Sequence, residues 1–113
     1  MNELLYCRLL EVAKAHCTIT YREVAELVGL GLGKAEHRAD LSKILRTISL
    51  HEQEHGRPLL SAVVVSEATD FPGRGFFWML ESLGVSVSDN QEELFERELG
   101  RVHQHWAYAV SSP

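Results

Sequence analysis

The chain has 113 residues, which is enough for one domain and too few for a second. Apolar residues make up 45% of it and charged residues 24%, an ordinary globular composition that excludes a disordered tail, a collagen-like repeat and a coiled-coil rod. The net charge of −5 excludes a strongly basic nucleic-acid clamp but leaves room for a small, local basic face.

The cysteines and the apolar runs indicate the cellular compartment of the protein. Cys7 lies in a predicted helix and Cys17 just past its end, too far apart for a disulfide, so we expect two reduced thiols. The N-terminal residues lack the basic start and apolar stretch of a signal peptide, and the longest apolar run, 59–65, is far short of a membrane span. We therefore expect a cytoplasmic protein without a membrane partner.

Three helices are predicted in the first half of the chain. Apolar residues at helical spacing predict a first helix from Glu3 to about residue 15. Thr20, followed three residues later by Glu23, predicts a capping box that begins a short second helix over 21–28. After a glycine-rich loop, a longer third helix begins at residue 34 or 35, runs toward residue 55, and is ended by Gly56 and Pro58.

The second half is predicted to hold a strand and two more helices. The Val-rich run 59–66 predicts a strand that is buried on both faces. A turn at 70–75 leads to a short buried helix over 76–83, and the connector 85–90 has room for a short strand. The final helix, 91–110, has its apolar stripe at Phe95, Leu99, Val102, Trp106 and Val110.

These elements predict a mainly α fold with a small β element. Helix, capped short helix, loop, longer helix and strand is the order of a winged helix-turn-helix. We therefore expect a single winged helix-turn-helix-like domain, 1–113, made of a winged-helix-like core at 3–86 and a C-terminal helix at 91–110.

Three short stretches carry a family resemblance. The run 19–25, ITYREVA, resembles the T-Y-G-E-[VL]-A that begins the DNA-binding domain of O6-alkylguanine alkyltransferases and alkyltransferase-like proteins. The run 57–64, RPLLSAVV, lies where that family carries P-C-H-R-V-V, and 83–85, LGV, resembles its E-G-V. The resemblance implies a winged-helix fold and a nucleic-acid surface.

The departures from the family concern its chemistry. Leu59 stands at the position of the reactive cysteine, Leu60 at that of the histidine and Ser61 at that of the arginine. An alkyl acceptor needs an activated thiolate, and leucine has none. Alkyl transfer is thus excluded at this position, and no cofactor is expected.

A candidate nucleic-acid surface lies on the third helix. Lys43 and Arg46 point away from its apolar stripe, Ser42 lies between them and that stripe, and Arg38 flanks them. Tyr21, in the resembling motif, is included in this set. The alternative interpretation is a solvated helix face with ordinary salt bridges, which the negative net charge favours.

The turn that precedes the fourth helix is a second candidate. Arg74, between two glycines at a helix N-terminus, could bind an anion through its guanidinium and backbone N–H groups. Phe71 or Trp78 could stack on a base. The alternative is a tight turn whose aromatic side chains pack in the core.

The string His51-Glu52-Gln53-Glu54-His55 formally matches H-E-x-x-H. His51 and His55 continue the apolar stripe of the third helix, so we expect them to point inward. Histidines that satisfy carbonyls at the helix end are the favoured interpretation, ahead of a structural metal site and a zinc protease. His103 and His105 point in different directions and cannot share a metal ion.

Other patterns leave two classes of function. The run 29–34, GLGLGK, lacks the spacing and the Ser/Thr of a phosphate loop. The stripe of the last helix packs either on the core or against a second copy of the chain. We expect a non-enzymatic DNA-binding module that uses the third helix and the Arg74 turn, or alternatively a protein-interaction or homodimerisation domain.

Overall fold

The computed structural model of the protein describes residues 1–31, 33–87 and 90–111, the last four of these in their backbone only. The elements, in chain order, are α1 (Glu3–Lys14), β1 (Ile19–Thr20), α2 (Tyr21–Leu27), α3 (Ala35–Glu54), a 3₁₀ helix (Leu60–Val63), β2 (Val64–Val65), α4 (Arg74–Ser82) and α5 (Gln91–Ser111). The fold is mainly α with a small β element, as the sequence predicts, and the five helices lie within two residues of their predicted bounds.

Polar side chains begin the first two helices. The Asn2 Oδ1 accepts the Leu5 N–H at 3.0 Å at the start of α1. Thr20 Oγ1 accepts the Glu23 N–H at 3.2 Å, and the Thr20 hydroxyl donates to the Glu23 carboxylate. Thr20 is therefore confirmed as the N-cap of α2, although the Glu23 carboxylate accepts from the Thr20 hydroxyl rather than from its backbone N–H as in a capping box.

Glycines end α3 and α4 where the pattern places them. Gly56 and Gly84 both have a positive φ, a region that glycine enters without steric cost. After α3 the Arg57 N–H donates to the Glu52 carbonyl at 2.9 Å, and after α4 the Val85 N–H donates to the Leu80 carbonyl at 3.1 Å. Both ends are Schellman motifs, which turn the chain back toward the core.

The predicted strand at 59–66 is wrong over most of its length. Residues 60–63 form the 3₁₀ helix, and only Val64 and Val65 pair, in parallel, with Ile19 and Thr20. Apolar residues alone do not distinguish a buried strand from a buried helical turn. The partner strand is two residues long because α2 begins immediately after Thr20, so a longer strand would have nothing to pair with.

Two further differences concern short segments. The stretch 17–19, predicted only to break α1, contributes Ile19 to β1. In the connector 85–90, the described residues 85–87 and 90 form no strand, and residues 88 and 89 lie outside the described chain.

The 3₁₀ helix lies at the centre of the core. It packs against α1, α3 and α5, and its four residues are buried. The α5 helix packs along α1, with Phe95 and Val102 buried and Leu99 and Trp106 half-buried against the core. The C-terminal helix is therefore part of the same hydrophobic core as the first four helices.

Candidate nucleic-acid interface

The outer face of α3 carries the predicted polar side chains. Leu41, Leu45 and Ile48 are buried, whereas Ser42, Lys43 and Arg46 are exposed. The hydrophobic stripe therefore orients the helix so that its basic residues face away from the core.

Tyr21 joins the start of α2 to the start of α4. Its hydroxyl oxygen accepts the Gly73 N–H at 2.7 Å. Burial raises the pKa of Tyr21 above its ordinary value, although the bond from Gly73 acts in the opposite direction. The neutral phenol thus fixes the turn that carries Arg74, and the Gly73 N–H is occupied rather than available to an anion.

A pocket of about 570 Å³ lies between α3 and α4. We call it the α3–α4 pocket. Five of the six predicted site residues line it together: Tyr21, Ser42, Lys43, Arg46 and Arg74. Apolar side chains also line it, namely Leu45, Phe76, Trp78 and Met79. The fold thus brings a residue of the fourth helix beside the basic face of the third.

The charges of the α3–α4 pocket have one sign. Its described lining residues include Lys43, Arg46 and Arg74 and no aspartate or glutamate. Within the described part of the chain, none of these three cations forms an ion pair. The pocket is therefore electropositive although the whole chain is acidic.

Two buried serines, which the sequence analysis did not select, lie in the same pocket. Ser49 of α3 donates to the Ser61 Oγ at 2.7 Å. One hydroxyl proton of this pair is not used in the bond between them. The available signal was Ser49 itself, because a residue four positions after the buried Leu45 lies on the same side of the helix.

Arg38, the sixth predicted residue, lines a neighbouring pocket between α2 and α3. This second pocket shares Tyr21, Ser42 and Leu45 with the α3–α4 pocket. It also contains an ion pair between Arg22 and Glu67, with 3.4 Å between nitrogen and oxygen. Its charge is therefore mixed, and Arg38 is set apart from the three other cations.

The two candidate aromatics have different surroundings. Phe71 is half-buried and packs against Phe77 and Phe95 at centroid distances of 5.5 and 5.3 Å. Trp78, in contrast, is 65% exposed. Of the two, only Trp78 offers a ring face to solvent.

The three positions that the resemblance matches to the alkyltransferase residues carry no thiol. Leu59 and Leu60 are buried, and the Leu59 N–H donates to the Glu98 carboxylate at 2.7 Å. Ser61 alone of the three lines the α3–α4 pocket. The free thiols Cys7 and Cys17 are exposed outside it.

The expectation that His51 and His55 point inward is wrong for His55 and holds only in part for His51. His55 is exposed, and its Nδ1 lies 2.8 Å from the His51 carbonyl oxygen, as expected for a histidine at a helix end. His51 is half-buried with its ring against the edge of Tyr6. No group of three or more potential metal ligands occurs among the described residues.

Glu52 occupies the inward position between these histidines. It is fully buried, and its Oε2 accepts from the Arg57 Nη2 at 2.7 Å, from the Arg57 Nε at 3.0 Å and from the Tyr6 hydroxyl at 3.0 Å. We call Tyr6, Glu52 and Arg57 the Glu52 cluster. The bonds to Glu52 raise the pKa of Arg57, and burial together with Glu52 raises the pKa of Tyr6. These partners make burial of the carboxylate tolerable.

His103 and His105 have separate neighbours. The His103 Nε2 lies 2.9 Å from the Cys17 carbonyl oxygen, and its ring stacks on His16. His105 contacts the ring of Trp106 edge-on. The two histidines therefore serve different contacts along α5.

Comparisons of the chain with family models, curated proteins and solved structures found no match. In the described part of the chain, no helix is long and apolar enough to cross a bilayer.

Proposed function

We propose that this domain is a non-enzymatic module that binds DNA through the α3–α4 pocket. One observation carries the proposal: five residues that the sequence marks as candidates line one pocket, and three of them are cations. The described lining residues add no carboxylate that would repel a phosphate.

The state of the three cations supports phosphate binding. Lys43, Arg46 and Arg74 have no ion-pair partner in the described part of the chain, so a phosphate would not have to displace one. Side-chain contacts of this kind supply most of the sequence-independent affinity for DNA.

The acidic surplus of the chain limits affinity without abolishing it. Charges separated by more than a Debye length, about 10 Å at 0.1 M salt, are largely screened from one another. The local sign of the α3–α4 pocket then governs a bound phosphate, while the net charge of −5 lowers the rate of encounter.

The order of elements supports the same proposal. A short capped helix followed by a longer helix is the arrangement in which a helix-turn-helix presents its second helix to DNA. Here α2 and α3 hold those places, and α3 carries Lys43 and Arg46. With leucine at position 59, we propose binding without alkyl transfer.

The alternative, a homodimer through the stripe of α5, has less support. Phe95 and Val102 are buried within the chain's own core, and Leu99 and Trp106 pack against it. A second copy would have to contact another face of the helix.

The test is fluorescence anisotropy of labelled DNA at low salt with two matched variants. The pocket variant replaces Lys43, Arg46 and Arg74 by alanine, and the control replaces Arg8, Lys14 and Arg97, so each makes the net charge three units more negative. We expect the pocket variant to lose at least about tenfold in affinity and the control to lose much less. Equal losses, or no binding by the wild-type chain, would overturn the proposal.

A further inference from the structure

Trp78 is an exposed aromatic residue on a helix that buries its other large apolar side chains. Phe76, Phe77, Met79 and Leu80 of α4 are all buried, whereas Trp78 is 65% exposed. The core of the described chain therefore does not need an indole at this position. A ring of this size at the surface is typical of a contact site.

Trp78 also shares one face of α4 with the basic residue Arg74. Arg74, Trp78 and Ser82 are four residues apart along α4, so they share one face of that helix, and all three line the α3–α4 pocket. Lys43 and Arg46 line the same pocket from α3. An exposed aromatic ring thus lines the same pocket as three cations.

This combination fits a single strand better than a duplex. Grooves that bind single strands use positive side chains along the backbone and aromatic side chains on which bases stack. In a duplex the base faces are covered by neighbouring bases, so only the phosphates could bind in the α3–α4 pocket. A single strand could place its phosphates against the cations and also stack a base on the indole.

We infer that the α3–α4 pocket prefers single-stranded to double-stranded DNA, with a base stacked on Trp78 and the adjoining phosphates bound by Lys43, Arg46 and Arg74. The inference rests on the proposed DNA-binding function and adds the class of DNA. The cations favour a polyanion over an apolar protein segment as the occupant of this face.

The first measurement compares oligonucleotides by anisotropy. A labelled thymidine strand of about 16 nucleotides and a duplex of the same length are titrated with the wild-type chain. The Trp78→Ala variant should lose about tenfold in affinity for the single strand and little for the duplex. Leu4→Ala is the matched control, because Leu4 is also 65% exposed but lies on α1.

The second measurement uses the indole as its own reporter. In the Trp106→Phe variant Trp78 is the sole tryptophan, since the chain has two. Stacking of a base should quench its fluorescence at saturating single strand and leave it nearly unchanged with duplex. Should the Trp106→Phe variant not fold, the anisotropy titration of the wild-type chain still decides the question.

The outcomes separate this inference from the proposed function. Absence of binding to either DNA overturns both. Equal affinity for strand and duplex, or Trp78→Ala losses equal for the two, overturns the single-strand preference and leaves the DNA-binding proposal standing. Preference for the single strand that Trp78→Ala removes, with quenching of Trp78, supports both.

Discussion

The Glu52 cluster and the α3–α4 pocket are both built on α3, and they use charge in opposite ways. In the Glu52 cluster, Arg57 is bound to a carboxylate that has no exposed surface. In the pocket, Lys43 and Arg46 are exposed and form no ion pair with the described residues. The charges of the Glu52 cluster are paired with one another, although the buried Glu52 Oε1 has no hydrogen-bond partner among the described residues, whereas the cations of the pocket are not paired with described residues.

This difference separates stability from binding. Removing a cation from a buried ion pair leaves an uncompensated charge, which is strongly destabilising. Removing an exposed, unpaired cation changes stability little, because water already solvates it. Substitutions in the Glu52 cluster should therefore change mainly stability, and substitutions of the pocket cations should change mainly binding.

The largest expected effect is on the Glu52 cluster. Arg57→Ala removes the two nitrogen donors to Glu52 and should lower the free energy of unfolding by about 3 kcal/mol. Urea unfolding measures this loss. Arg8→Ala is the control, because its ion pair with Glu11 is exposed and should contribute little. A loss in Arg57→Ala no larger than in the control would show that the cluster does not stabilise the fold.

The next largest effect is expected at Ser49 and Ser61, the two buried serines that line the α3–α4 pocket. Ser61→Ala leaves the buried Ser49 hydroxyl without the acceptor it now uses, which should cost about 1 kcal/mol. Thr47→Ala, which removes an exposed hydroxyl from the same helix, should cost less. Thermal unfolding of both variants gives the difference, and equal values would mean that the buried hydroxyl pair is not a stabilising contact.

The next prediction concerns the N-cap of α2, the helix that carries Tyr21 of the α3–α4 pocket. Thr20→Ala removes the hydroxyl that accepts the Glu23 N–H, and it should cost about 1 kcal/mol in unfolding free energy. Thr18→Ala, outside any helix, serves as its control in the same denaturant titration. A smaller loss at Thr20 than at Thr18 would contradict the role of the cap.

The smallest effect is a loss of stability at alkaline pH. The pKa values of Tyr6 and Tyr21 are both raised in the folded chain, chiefly by burial, so folding favours their neutral forms. This contribution is complete below about pH 10, the ordinary pKa of tyrosine, and disappears as the pH rises through the folded-state values. Unfolding free energies from about pH 8 to about pH 11 should fall, and less steeply in Tyr6→Phe and Tyr21→Phe. Unchanged slopes in both variants would contradict this assignment.

The helices could be predicted because their signals are local. The hydrophobic spacing of α3, the cap at Thr20 and the glycines after α3 and α4 each act within one or two turns. The strand at 59–66 could not be predicted correctly, because its length depends on how much of β1 is available to pair.

The parts of the site that were missed depend on contacts between distant residues. Glu52 lies on the buried side of α3, four positions after Ile48, but one of its partners, Tyr6, comes from a distant helix, and no signal near position 52 indicates that partner. The basic residues were predicted individually, but only the packing of α4 on α3 places Arg74 beside Arg46. Ser61 lines the pocket from the 3₁₀ helix that stands in place of most of the predicted strand.

The most direct test of the account is the salt dependence of single-strand binding by the wild-type chain and by the variant lacking Lys43, Arg46 and Arg74. Three phosphate contacts predict that the logarithm of the binding constant falls with that of the salt concentration with a slope of about −2. We expect this slope in the wild-type chain and one near zero in the variant. The same slope in both chains would show that the α3–α4 pocket does not bind the phosphates and would contradict the account.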